Sequence, residues 1–170
     1  VTGVQTCALP IYLLRDARDE RDEAITAVTI SATDPANPYG VLIPWPMVSD
    51  EGRGATRTAG ARVVMVNGRA AAWIGRGDRQ LLVWLPEHEP ERSRIGRALA
   101  RELVDLAMRA PDGRRGWLIE EINGRPSVHD PSSRFLLDAG FAATAGGLQL
   151  RVPRRPAIVD ADPDDEIDRA

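Results

Sequence analysis

The chain has 170 residues, 43% hydrophobic and 28% charged, with a formal net charge of −3. That is enough for one domain with tails and a buried core, and the charge balance excludes a generally basic, nucleic-acid-coating surface. No apolar run approaches the roughly 20 residues that a membrane-spanning helix needs, and a single cysteine, Cys7, excludes an internal disulfide.

Charge is unevenly placed. All 22 basic residues are arginines, a usage that fits a GC-rich genome. From Arg53 to Arg79 the only acid is Asp78, whereas the end, Asp160 to Ala170, is dominated by aspartate and glutamate. Residues 1–11 (VTGVQTCALPI) resemble the in-frame translation of a sequencing-adapter oligonucleotide and are set outside the fold. They lack the basic start and the apolar stretch of a signal peptide. Residues 12–24 alternate charges at i, i+4 spacing around Leu13 and Leu14, as a frayed helical linker would. The domain proper is expected over 25–152, and the acidic segment 153–170 has too little apolar surface to fold.

Within 25–152, Ile25 to Ser31 is β-branched and reads as a strand. Ala32 to Pro46 (ATDPANPYGVLIPWP) is the most heavily punctuated window. Asp34-Pro35 starts a turn, Asn37-Pro38 bars a long helix, and Val41, Leu42, Ile43 and Trp45 are expected to leave extended. A polar, glycine-rich stretch to Gly60 reads as a loop or hairpin tip. Arg62–Val66, Arg69–Ile74 and Gln80–Leu85 form a three-strand meander, its first turn set by Asn67-Gly68. Glu91 to Ala110 is the long helix, with Ile95, Leu99, Leu103, Leu106 and Ala107 on one face and arginines on the other. Trp117–Ile122 is a strand, Asn123-Gly124 a second tight turn, Pro131–Ala139 a short helix stopped by Gly140, and Leu148–Val152 the last strand. The fold class is therefore α+β: a small curved antiparallel sheet or partial barrel with one long and one short helix.

The window ATDPANPYGxxxPWP, followed by AGARVVMVNGR and later by AGFxxTxxGLxLR, resembles the C-terminal end of Lhr-type large ATP-dependent helicases of superfamily 2. The resemblance runs from about Ala27 to Arg151. It implies an accessory domain of a DNA-repair helicase whose ATPase lobes, with their ATP and magnesium, lie upstream. It also implies neighbouring winged-helix domains in the same polypeptide, a DNA partner that is single-stranded, and a bacterial cytoplasmic, nucleoid-associated setting. Lhr C-terminal regions are similar in turn to AlkZ-type DNA glycosylases, whose Q-x-Q or Q-x-D signature neither Gln80 nor Gln149 reproduces. A base-excision role here would have to draw on a buried acid such as Asp34.

The residues themselves carry little chemistry. Without lysine there is no phosphate-binding G-x-x-x-x-G-K-[ST] loop, so the chain alone is expected to be non-catalytic. His88 and His129 stand singly and make no zinc set. Glu120 and Glu121, adjacent on a strand, point to opposite faces and form no carboxylate dyad. The candidate nucleic-acid-binding residues are Arg53, Arg57, Arg69 and Arg76, at loops and hairpin ends where guanidinium groups meet phosphates, with Tyr39 and Trp45 as base-stacking platforms. The competing readings are that Trp45 packs the core and the arginines solvate an edge, and that the domain is a structural cap docked on preceding winged-helix domains through an exposed apolar patch.

Overall fold

A computed structural model describes residues 25–47, 54–110 and 116–151. The adapter-like start, the linker, Arg53 and the acidic tail lie outside the described residues. In chain order the elements are β1 (Ala27–Ser31), β2 (Arg62–Val66), β3 (Arg69–Ile74), β4 (Gln80–Val83), α1 (Glu91–Met108), β5 (Gly116–Ile119), β6 (Glu121–Ile122), β7 (Arg125–Pro126), a 3-10 turn (Ser127–His129), α2 (Ser133–Asp138), β8 (Ala142–Thr144) and β9 (Gly147–Arg151). Strands β1-β2-β3-β4-β6-β7 form one sheet and β5-β9-β8 another, and neither closes on itself. Pairing is antiparallel except between β4 and β6. The α+β class, the curved sheet and the long and short helices are as expected.

The runs RVVMV and AAAWI are apolar without alternation because the large sheet is covered on both sides. On one side Val64, Ala72, Ile74, Leu81 and Val83 meet Leu99 and Leu103 of α1, Phe135 of α2 and Leu148 of the small sheet. On the other, Val63, Met65, Trp73 and Leu82 are roofed by the window 32–47 through Ala32, Tyr39 and Trp45. A bulge at Val64/Met65, which pair with Ala72 and Ala70, leaves Ala71 as the extra residue and bends the sheet. Leu103 is fully buried, and side chains of this kind contribute roughly 1.5–3 kcal/mol each.

Both Asn-Gly turns form with positive φ at each centre: Asn67 49° and Gly68 76°, Asn123 54° and Gly124 75°. Each asparagine side chain also ties its turn to a neighbour, Asn67 accepting Thr26 N at 3.0 Å and Asn123 accepting Val83 N at 2.8 Å.

Three expectations need correction. Trp117–Ile122 is not one strand: the chain leaves the small sheet after Ile119 and enters the large one at Glu121, while both Glu120 N and Glu121 N donate to the Arg79 carbonyl. Val41–Ile43 do not run extended, because the Pro38 carbonyl accepts from the N–H groups of all three and curls them into a loop. The last strand begins at Gly147 and is preceded by β8, which the sequence reading did not include.

Candidate docking and nucleic-acid surfaces

The window 32–47 is built from its own polar groups. Asp34 accepts Ala36 N at 2.8 Å, an Asx turn with Pro35 at a position that needs no N–H. Asp34 is half-buried rather than buried. Asn37, 2% exposed, donates to the Ala32 carbonyl at 2.8 Å and accepts Tyr39 N at 3.1 Å, so its amide is used at both ends.

Arg57 completes this knot. Its guanidinium donates to the carbonyls of Asn37 at 2.6 Å, Tyr39 at 3.2 Å and Asp34 at 3.2 Å. A planar fork with five donors can hold three backbone acceptors that face one point, which the single ammonium of a lysine would match poorly. Tyr39 is buried and its hydroxyl accepts Ala70 N at 3.1 Å. Trp45 is half-buried within a three-ring stack, its centroid 5.7 Å from Tyr39 and 6.2 Å from Trp84, with interplanar angles of 21° and 22°. The Trp45 ring is thus already engaged with two aromatic neighbours. Gly40 makes room for it: at φ 77° a Cβ there would sit 2.6 Å from Trp45 Nε1.

What this knot presents outward is apolar. Val41 is 69% exposed, Leu42 83%, Ile43 46% and Met47 83%. Four large apolar side chains are thus exposed within seven residues of one loop that also carries Pro38, Pro44 and Pro46, which singly scattered surface leucines do not resemble. The residue types were visible in the sequence, but their outward direction depends on the Pro38 carbonyl clamp.

The remaining predicted arginines lie apart from this loop. Arg69 is exposed beside the Asn67-Gly68 turn, Arg76 is exposed at the β3–β4 turn, and Arg53 lies outside the described residues. Arg62, close by, pairs with Asp78 and lies 5.9 Å over the Trp117 ring. On the opposite side of the large sheet, Arg94, Arg97 and Arg101 of α1 border a groove of about 360 Å³ with Ile25, Ala27, Ala98, Glu102 and Asp105. The sequence placed arginines on this helix face without singling them out. Glu102, 8% exposed, accepts Thr29 Oγ1 at 2.8 Å and Arg109 at 2.8 Å, so its buried charge is compensated.

Among the described residues no group of three or more His, Cys, Asp or Glu is placed to hold a metal ion, and no helix is long and apolar enough to cross a membrane. His88 and His129 are both exposed. Glu120 pairs with Arg79 and Glu121 with the Gln80 amide, so the two carboxylates have separate partners.

Fold and surface together define an α+β module with an apolar loop on one side of its main sheet and an arginine-bordered groove on the other. Across 135 residues, 74% of the chain, it is 39% identical to a Lhr helicase/probable uracil glycosylase of Mycolicibacterium smegmatis. Across 123 residues, 72% of the chain, it is 34% identical to the Lhr helicase/uracil glycosylase of Escherichia coli K12. The chain is similar to a short segment of Lhr helicases, and its match spans 8% of the length of each of these relatives. No family model matches it.

Proposed function

We propose that this chain is a non-catalytic accessory domain of an Lhr-type DNA helicase and that its apolar loop at 41–47 seats it on the other domains of the enzyme. The observation that carries the reading is the exposure of Val41, Leu42, Ile43 and Met47 on a loop whose backbone is clamped by Pro38 and Arg57. An apolar loop held in one shape loses little conformational entropy on docking, so its burial contributes to association with small ordering cost. Arg57, Tyr39 and Trp45 serve the same loop from within.

In this reading ATP hydrolysis and its magnesium ion belong to helicase lobes elsewhere in the polypeptide, DNA is the substrate of the whole enzyme, and the seat for the loop is a winged-helix neighbour. The work is DNA repair in the bacterial cytoplasm. The relatives' names support the helicase and repair setting, since each couples a helicase with a uracil glycosylase.

Hydroxyl-radical footprinting tests it. Met47 is expected to oxidise readily in the 170-residue chain and to be protected when the same sequence is joined to the remaining domains of an Lhr-type helicase. Equal oxidation of Met47 in the two contexts would rule the docking role out.

A further inference from the structure

We infer that the groove between β1 and α1 is a binding site for the phosphate backbone of a nucleic-acid strand, with Arg97 and Arg101 as its principal contacts and Arg94 at its edge. Residues 94, 97 and 101 follow three-four spacing and so share one face of α1. At 1.5 Å per residue Arg97 and Arg101 lie about 6 Å apart along the helix axis, so both guanidinium groups can meet one strand.

Among the described residues Arg97 and Arg101 are exposed and have no ion-pair or hydrogen-bond partner, in contrast to Arg57, Arg62, Arg79, Arg109 and Arg134. Arg94 is already engaged and is not required as a contact. Guanidinium forks suit the paired oxygens of a phosphate. The three arginines of the groove outnumber its two acids, of which Glu102 is already held by Thr29 and Arg109, while Asp105 stands on the same face one helical turn beyond Arg101. The floor of Ile25, Ala27 and Ala98 is apolar and can accept sugar edges. This surface lies across the sheet from the 41–47 loop, so the two are separate faces of the domain.

The test is fluorescence anisotropy of a labelled oligothymidylate with the 170-residue chain over a salt series, comparing wild type, R97E/R101E and R69E/R76E. R97E/R101E is expected to weaken binding about tenfold or more and to lower the slope of log affinity against log salt by about 1.4, the equivalent of two single-strand phosphate contacts. R69E/R76E is expected to stay near wild type. All four positions are exposed, and an unchanged melting temperature verifies that each variant is folded. Three outcomes would overturn the assignment: wild type that does not bind, an R97E/R101E variant with unchanged salt slope, or a loss that follows R69E/R76E instead. None of these bears on Met47 protection, so the site and the docking role fail separately.

Discussion

The Arg57 guanidinium reaches the Asn37 carbonyl, 20 residues earlier, at 2.6 Å, and with its bonds to Tyr39 and Asp34 it closes the loop that displays Val41, Leu42 and Ile43. A partly buried bond to a charged donor is worth about 1.5–3 kcal/mol, and truncating the donor also leaves the buried Asn37 carbonyl without it. Arg57→Ala is expected to lower the unfolding free energy by about 2 kcal/mol in urea titration, and Arg57→Lys to recover only part of that. A variant as stable as wild type would show that the guanidinium is dispensable to the loop.

Gly96 lets the two helices touch. A Cβ at this position would fall 2.6 Å from Phe135 Cδ2 and Cε2 and 2.8 Å from Cζ, against a ring that is 5% exposed and lies in the main core. Alanine is better than glycine inside a helix by about 1 kcal/mol, whereas overpacking costs about 1–3 kcal/mol. Steric overlap at this distance outweighs propensity, so Gly96→Ala is expected to destabilise by about 1–2 kcal/mol in thermal or urea unfolding. The double variant Gly96→Ala/Phe135→Leu removes the clash and is expected to regain part of the loss. A stabilised Gly96→Ala would mean that Phe135 rotates away at no cost.

Features encoded within a few residues of each other were legible in the sequence. Asn67-Gly68 and Asn123-Gly124 fix their own backbone angles, and the apolar stripe of α1 follows from its 3.6-residue period. Features set by distant partners were not. The break between Ile119 and Glu121 arises because β5 finds β9 while β6 finds β4, and nothing local in WLIEEI records that exchange. Strand β8 is Ala-Ala-Thr, with little β-propensity of its own, and owes its form to pairing with β9. Val41 to Ile43 read as extended by composition, but the Pro38 carbonyl captures their N–H groups. At the candidate surfaces the residue types were in view from the start, but which arginines turn inward, as Arg57 does, depends on contacts 18 to 23 residues apart.

One hydroxyl reinforces the end of the small sheet where Ile119 faces Leu148. Ser127, fully buried, donates from Oγ to the Ile119 carbonyl at 2.6 Å and accepts Leu148 N at 3.0 Å, bridging β5 and β9. Gly147 allows the close approach, since a Cβ there would be 2.2 Å from the Ile119 carbonyl oxygen. Ser127→Ala removes a partner from a buried donor and a buried acceptor at once and is expected to cost about 1–3 kcal/mol. Hydrogen exchange gives the specific readout: the Leu148 amide is expected to lose protection relative to amides of β2 and β3. Uniform loss across both sheets would indicate a global effect rather than a local bridge.

The acid limb of stability carries one local contribution that can be isolated, at Glu89. This exposed carboxylate accepts from the Ser93 side chain, from Ser93 N at 3.0 Å and from Arg134 at 3.0 Å. These contacts, the Ser93 side-chain hydrogen bond foremost, hold its pKa below the ordinary glutamate value. A depressed carboxylate adds stability above its unfolded-state pKa, and that contribution is lost as pH falls through the lower, folded-state value. Because the group is at the surface, salt screens the Arg134 share. Carboxyl-carbon NMR titration is expected to place Glu89 below an unfolded-state glutamate. Ser93→Ala should raise its midpoint most, and Arg134→Ala should raise it less, by an amount that shrinks with added salt. If Ser93→Ala leaves the midpoint where it was while Arg134→Ala moves it, the cause is the ion pair between Arg134 and Glu89 rather than the start of α1.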